Sequence, residues 1–113
     1  MEVNYKLDKV KELASGDEEF IVAIAAAFLE EVPEAIAQIE IGLQKTDYKK
    51  VYQNAHKIKP TIQLFEIPIF EDVLKVQDWG KFEQKDAIVF AEFSKIKAMV
   101  NAVSMELKSD FEL

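Results

Sequence analysis

The sequence predicts an all-α fold, an antiparallel up-down-up-down four-helix bundle with a short N-terminal helix. Apolar residues recur at steps of three and four through long stretches, as they do on one face of a helix. Strand signals are weak, because no Asn-Gly or Asp-Gly pair marks a hairpin turn. The connections between the periodic stretches are short, which favours antiparallel neighbours in a bundle.

Gly16 and Asp17 separate the first two predicted helices. We expect a short helix over Asp8–Ala14 that stops at Gly16, with Asp17 as the N-cap of the next helix. That helix is about thirty residues long by its periodicity. Its apolar stripe contains Ile21, Ala25, Phe28, Val32, Ala35, Ile39 and Leu43. Pro33 lacks a backbone donor and crowds the preceding turn, so we expect a kink or a brief break there.

Thr46 and Asp47 offer caps for the third helix. The helix is expected to end near Phe65 or Glu66, because residues before Pro68 are pushed out of the helical region. Its apolar stripe contains Val51, Ala55, Ile58, Ile62 and Phe65. The spacing again predicts an amphipathic helix.

Pro68 fits the first turn of a fourth helix, which runs to about Trp79 with Gly80 as its C-cap glycine. The last helix is expected over about Lys85 to Lys108. Its stripe contains Val89, Phe93, Ile96, Val100, Val103 and Leu107. Trp79 and the phenylalanines at positions 20, 28, 65, 70, 90 and 93 are interpreted as core and helix-packing residues.

Composition limits the function classes. Of the 113 residues half are hydrophobic, which predicts one domain over residues 1–113. The net charge of -7 disfavours nucleic-acid binding. The charged N-terminal stretch does not resemble a signal peptide, and no apolar run reaches the roughly 18 residues of a membrane span. The absence of cysteine suits a reducing compartment, so we expect a cytoplasmic protein without membrane insertion.

His56 is the only histidine, and helical geometry predicts that it faces solvent. At about 100° per residue, the core stripe of the third helix clusters within roughly 40° of its mean direction. His56 lies about 140° from that direction. On the same outer side are Lys49, Tyr52, Pro60 and Gln63, with Lys59 nearer the boundary.

Five lysines and one acid lie between positions 45 and 59, although the whole chain is acidic. A solvated lysine face is the ordinary explanation for such a patch. The patch coincides here with the only histidine, whose neutral imidazole is a nucleophile toward phosphorus. Nearby ammonium groups would partly neutralise a phosphoryl group on His56, and Lys59 is best placed to do so.

The stretch Ala55-His56-Lys57-Ile58-Lys59 resembles the signature of histidine-containing phosphotransfer (HPt) domains, Ala-His-any-Leu-Lys-Gly, on the second long helix of a four-helix bundle. The resemblance covers roughly residues 7–77, and the last helix agrees in length and pattern alone. It implies a phosphorelay intermediate without kinase activity of its own. His56 would accept phosphate from a receiver-domain aspartate and pass it to another receiver.

The resemblance also implies the partners, and helical geometry indicates the remaining site residues. Partners are a response-regulator receiver domain, a hybrid sensor histidine kinase, or both. The chain binds no cofactor, and magnesium is expected on the receiver. Lys59 is the expected phosphate-stabilising residue. The expected docking residues surround His56 on the exposed side: Lys49, Tyr52, Lys57, Pro60 and Gln63.

Two positions depart from the family pattern. Pro60 replaces the glycine that follows the lysine, and Phe65-Glu66 replaces a later Leu-Gly pair. Because proline crowds the carbonyl four residues earlier, that of His56, we expect a local bend in this helix. The pair His56 and Lys59 is present, so we expect relay activity to be retained.

Other functions fit less well. A di-metal carboxylate site in a bundle needs two Glu-any-any-His motifs, and one histidine cannot supply them. No serine lies in a motif that pairs a nucleophile with a base and an orienting acid, so a hydrolase is not predicted. The alternative that stays open is a helical docking or scaffold module that binds signalling partners without phosphotransfer.

Overall fold

Five helices account for the regular secondary structure in the computed structural model, which describes residues 3–113. They are α1 (Asp8–Ala14), α2 (Glu18–Lys45), α3 (Tyr48–Leu64), α4 (Phe70–Lys81) and α5 (Ile88–Asp110). No strand occurs in that range. The predicted all-α fold is therefore confirmed.

The boundary between α1 and α2 follows the predicted signals. α1 spans the expected seven residues, and Gly16 follows it with a positive φ of 79°. The side chain of Asp17 caps α2 by accepting hydrogen bonds from the backbone N–H groups of Glu19 and Phe20, at 3.0 and 3.3 Å. A cap of this kind satisfies donors that the first helical turn leaves free.

Of the expected kink or brief break at Pro33, the break does not occur, because α2 continues through Pro33. The whole predicted apolar stripe of this helix is buried, from Ile21 to Leu43. Packing on both sides of the proline therefore holds the two segments as one helix although the proline lacks a donor. α2 is the longest of the five helices, yet no helix among residues 3–113 is both long and apolar enough to cross a membrane.

Asp47 caps α3, because its side chain accepts a hydrogen bond from the backbone N–H of Lys50 at 3.1 Å. Thr46 has a different role from the one predicted: it takes a left-handed conformation with φ 54° and ends α2. The five predicted stripe residues of α3, from Val51 to Phe65, are all buried. The helix ends at Leu64 and stays continuous through Pro60.

The predicted start and end signals of α4 are wrong, and α5 is shifted slightly along the chain. Pro68 precedes α4 instead of occupying its first turn. Gly80 lies inside α4, where it packs against α3, so the helix continues to Lys81 and is capped by Phe82. α5 begins at Ile88, three residues later than predicted, and ends at Asp110, two residues later.

The four long helices pack in a ring. α2 contacts α3 and α5, α4 contacts the same two helices, and α1 contacts α2. The inward stripes form one hydrophobic core. Trp79, Phe28, Phe65 and Phe93 are buried there, as predicted, and Phe70 packs at its edge. The prediction is wrong for Phe20 and Phe90, which are each 47% exposed.

The N-terminal segment before α1 joins the ends of α3 and α5. The backbone N–H of Lys6 donates to the carbonyl of Phe65 at 2.8 Å. Asn4 donates to the Glu106 carboxylate through its backbone N–H and its side-chain amide, at 2.9 and 2.6 Å. Tyr5 is buried, and its hydroxyl donates to Asp110 at 2.6 Å. This segment therefore closes one end of the bundle, far from the capped start of α3.

Candidate functional site

His56 lies in the middle of α3 and is exposed to solvent, as the helical wheel predicts. The preceding residue, Ala55, is fully buried, and so are Val51 and Ile62 on the same inward stripe. The burial of that stripe fixes the rotation of the helix about its axis. The imidazole is consequently held on the outside of the bundle.

The ring of Tyr52 stacks on the imidazole of His56. The ring centroids are 5.7 Å apart, and the ring planes differ by 15°. The two residues are one helical turn apart, a spacing that brings side chains together on a helix surface. Tyr52 is half-buried whereas His56 is exposed, so the imidazole contacts the phenol ring and remains open to solvent.

Gly80 of α4 packs directly against the backbone of α3 beside this pair. A Cβ atom at Gly80 would lie 2.6 Å from the carbonyl oxygen of Tyr48 and 2.8 Å from the backbone nitrogen of Tyr52. Both distances are too short for a carbon atom, so only glycine permits this approach. The absence of a side chain at Gly80 sets the distance between α4 and the turn that carries Tyr52.

Tyr48 also ties the start of α3 to α4. Its ring lies 4.5 Å from the Trp79 ring, with 43° between the planes. Its hydroxyl donates to the carbonyl of Gln84 at 3.0 Å, in the loop after α4. The turn before Tyr52 is thereby held by both a ring contact and a hydrogen bond.

Gly42 of α2 plays a matching part on the other side of α3. A Cβ atom there would lie 2.8 Å from Cγ2 of Val51 and 3.2 Å from the carbonyl oxygen of Asp47. The first turns of α3 are thus packed closely by a glycine from each neighbouring helix. Neither contact is visible in the sequence, because each joins positions in different helices.

The lysines near His56 fall into two groups. Lys50 faces α2, where its ammonium donates to the side-chain oxygen of Gln38 at 3.2 Å. Lys49 and Lys57 are exposed and Lys59 is half-buried. Within the described residues these three form no ion pair. Their charges are consequently available to a negatively charged group that approaches the imidazole.

The predicted docking residues share the outer side of α3. Lys49, Lys57, Pro60 and Gln63 are exposed, as predicted. By helical geometry Lys59 lies on the α4 side of His56, whereas Lys57 lies about 100° away toward α2. The imidazole therefore has a lysine on each flank.

Sequence reasoning did not identify a cleft of about 390 Å³ between α3 and α4. Its lining residues are Tyr48, Lys49, Tyr52, Gly80, Lys81 and Glu83. Tyr52 is shared between this cleft and the ring stack on His56. Lys81 adds a further positive charge, and its ammonium lies 5.3 Å from the Phe82 ring centroid. Only the folded arrangement of α3 and α4 brings these residues together.

The arrangement offers a nucleophile, nearby positive charge and open space. Nucleophilic attack by a neutral imidazole needs an unblocked ring nitrogen, and exposed His56 meets that condition. The described residues contain no group of three or more His, Asp or Glu side chains able to hold a metal ion. The side chains placed on this face of α3 are the imidazole of His56 and the lysines near it.

The chain matches no family model, no curated protein and no solved structure. Its function is therefore inferred from its own residues. Three kinds of observation carry it: the exposure of His56, the ring stacked on it, and the lysines around it.

Proposed function

We propose that the chain is a phosphorelay intermediate of the HPt type, in which His56 accepts a phosphoryl group from a receiver-domain aspartate and passes it to another receiver. The proposal includes an up-down-up-down order of α2 to α5, a cytoplasmic location, and a receiver domain or hybrid sensor kinase as partner. The exposed imidazole among lysines that form no ion pair is the observation that carries it.

The chemical step needs little from this chain besides an accessible ring nitrogen. The lone pair of a neutral imidazole nitrogen attacks the phosphorus of the aspartyl phosphate. A P–N bond forms, the P–O bond breaks, and the aspartate carboxylate leaves with the electron pair, while the other ring nitrogen keeps its proton. Catalysis of such transfers depends on positioning and on stabilisation of charge.

The charge distribution favours an acidic partner surface at this site. The whole chain carries a net charge of -7, which on average repels an acidic receiver. Lys49, Lys57 and Lys59 surround the imidazole and form no ion pair among residues 3–113. An acidic receiver pocket is therefore steered toward this face and away from the rest of the protein. Lys59 then partly neutralises the phosphoryl group on His56.

A second candidate is a docking module that uses the same face without accepting phosphate. The observation that favours it is Pro60, because its ring occupies the solvent side of α3 one turn after His56, where the HPt pattern has glycine. Docking alone does not need a nucleophile. The two candidates therefore differ in what happens when the imidazole is removed.

The test is phosphoryl transfer to the purified protein from phosphorylated receiver domains encoded in the same genome. We expect acid-labile, alkali-stable phosphate on the wild-type protein and none on His56→Gln. Gln53→Ala is the matched control, because it changes an exposed polar residue of the same helix. Receiver binding by both proteins without phosphate on either would favour the docking module. Phosphate that persists in His56→Gln would overturn the assignment of His56.

A further inference from the structure

The stack between Tyr52 and His56 has no counterpart elsewhere among the described ring pairs, because the other three involve core or core-edge residues. We propose that Tyr52 is a positioning residue that holds the imidazole of His56 in the orientation for phosphoryl transfer. This role rests on the proposed function and goes beyond partner docking. Tyr52 acts through His56 and does not touch the reacting phosphorus.

An exposed histidine on a helix ordinarily samples several side-chain rotamers. Each productive encounter with a phosphoryl donor would then include the entropic cost of ordering the ring. A parallel aromatic ring at 5.7 Å restricts the imidazole before the donor arrives. Preorganisation of this kind raises the rate of the chemical step, because the reacting nitrogen already has its direction.

Tyr52 can hold the imidazole because its own position is fixed. Its side chain is half-buried beside α4. Its backbone nitrogen and Cα would lie 2.8 and 3.1 Å from a Cβ atom at Gly80, which leaves α3 no room to move toward α4. One turn earlier, Tyr48 is anchored by the Trp79 ring and the Gln84 carbonyl. Tyr52 therefore connects the imidazole of His56 to a closely packed part of the structure.

The ring of Tyr52, and not its hydroxyl group, carries the proposed role. The hydroxyl has no hydrogen-bond partner among residues 3–113, whereas the ring makes the contact with His56. Phenylalanine keeps the ring and removes only the hydroxyl. Leucine keeps comparable hydrophobicity and removes the flat face. The pair of substitutions thus separates stacking from the other properties of tyrosine.

The test compares wild type, Tyr52→Phe and Tyr52→Leu with two phosphodonors. Phosphoramidate is too small to dock on the protein surface, whereas a phosphorylated receiver domain docks on it. In Tyr52→Leu we expect the maximal transfer rate to fall about three- to tenfold with both donors, the range that aromatic pairing energies give. The fall with phosphoramidate separates positioning from the docking role expected of Tyr52, and Tyr52→Phe should stay within about twofold of wild type.

NMR of the His56 ring protons provides a readout that is independent of transfer. A ring current shifts nearby protons according to their position relative to the ring, so these resonances should move in Tyr52→Leu and stay in place in Tyr52→Phe. Gln44→Leu is the matched control, because Gln44 is exposed and lies on a different helix, α2. It should change neither the resonances nor either transfer rate. Circular dichroism confirms that each variant remains helical.

Four results would overturn the proposal. Tyr52→Leu could transfer phosphate at the wild-type rate with both donors, or it could raise only the half-saturating receiver concentration, as a pure docking residue would. The His56 resonances could be the same in all variants, which would exclude the stack. If wild type accepts phosphate from neither donor, the proposed function fails and the positioning role fails with it. That outcome differs from absence of the stack, because the difference in His56 resonances between wild type and Tyr52→Leu would remain.

Discussion

The two halves of α3 are built differently, although His56 joins them. The first half, residues 48–55, is capped by Asp47 and packed closely by Gly42 and Gly80 from the two neighbouring helices. The second half, residues 57–64, buries Ile58 and Ile62 but has no such glycine contact. Its exposed side carries lysine, proline and glutamine side chains.

This difference places positioning in the first half of the helix and most of the docking residues in the second, with Lys49 and Tyr52 as the exceptions. Interiors packed at close range have few alternative arrangements, so the first half is suited to fixing a side chain. Exposed side chains adapt to a partner at low cost, so the second half is suited to contact. His56 lies at the junction, where its backbone follows the fixed half and its surroundings are open. We consequently expect a substitution that disturbs the packing of the first half to lower the free energy of unfolding, and replacement of Pro60 in the second half to raise it.

The largest expected effect on stability is at Gly80. In Gly80→Ala the new Cβ meets two backbone atoms of α3 at 2.6 and 2.8 Å, which cannot rotate away. α4 must shift outward, and we expect the free energy of unfolding to fall by about 2 to 3 kcal/mol, even though alanine is the better helix former. Urea denaturation followed by circular dichroism measures this change.

Gly42→Ala is the matched control for that experiment. Its closest contact, at 2.8 Å, is a side-chain methyl of Val51, and the backbone atoms lie at 3.2 and 3.3 Å. The strain is smaller and the gain in helix propensity is the same, so the loss should be at most about 1 kcal/mol. If Gly42→Ala proved the more destabilising of the two, the α4 contact would not be the dominant constraint on α3.

The elements that the sequence predicted correctly are those determined by local chemistry. The Asp17 and Asp47 caps depend on a side chain and the N–H groups two or three residues later. The buried stripes depend on a period of 3.6 residues, and the same period predicted that His56 is exposed. Each of these signals lies within one or two turns of the chain.

The wrong predictions concern residues whose role depends on a contact with a distant part of the chain. Gly80 has the sequence context of a C-cap glycine, yet its role is to let α4 approach Tyr48 and Tyr52. Pro33 was expected to kink or briefly break α2, and it does not break the helix, because core packing on both sides keeps the helix continuous. The stack of Tyr52 on His56 could have been predicted from the sequence, because the two residues are four apart on one helix. The contact that fixes Tyr52 could not, because it comes from Gly80 on another helix.

Replacement of Pro60 should change stability by an intermediate amount, and should raise it where Gly80→Ala lowers it. Pro60 lies inside α3, where it lacks the N–H that would donate to the carbonyl of His56. Pro60→Ala restores that donor and removes the ring, while the unfolded chain regains some freedom. We expect a net gain of about 1 to 2 kcal/mol in the free energy of unfolding. Thermal denaturation measures it, and amide hydrogen exchange should show greater protection across residues 57–64.

The same variant tests whether the second half of α3 tolerates change at its surface. Pro60→Ala should leave the His56 ring-proton resonances in place, because the Tyr52 stack belongs to the first half. A less stable Pro60→Ala protein would mean that the proline ring contributes packing that outweighs the lost hydrogen bond. A shift of the His56 resonances would mean that the two halves are not independent.

The smallest expected effect concerns the charge of Lys59, which is half-buried and forms no ion pair within the described part of the chain. Lys59→Glu should lower the rate of transfer from a phosphorylated receiver by about three- to fivefold at low salt, because exposed charge pairs contribute about 1 kcal/mol or less. The difference should shrink as salt screens the charges. Stopped-flow or quenched-flow transfer at two ionic strengths measures both quantities.

Lys95→Glu on α5 is the control for Lys59→Glu, since it makes the same change in net charge at an exposed position on a different helix. If both variants slowed transfer equally, the relevant quantity would be the net charge of the protein and not the lysines beside His56. If Lys59→Glu left the rate and its salt dependence unchanged, the second half of α3 would contribute shape without electrostatic recognition. If Lys59→Glu slowed transfer and Lys95→Glu did not, the receiver's charge would be recognised next to His56, beside the half of α3 that positions this nucleophile.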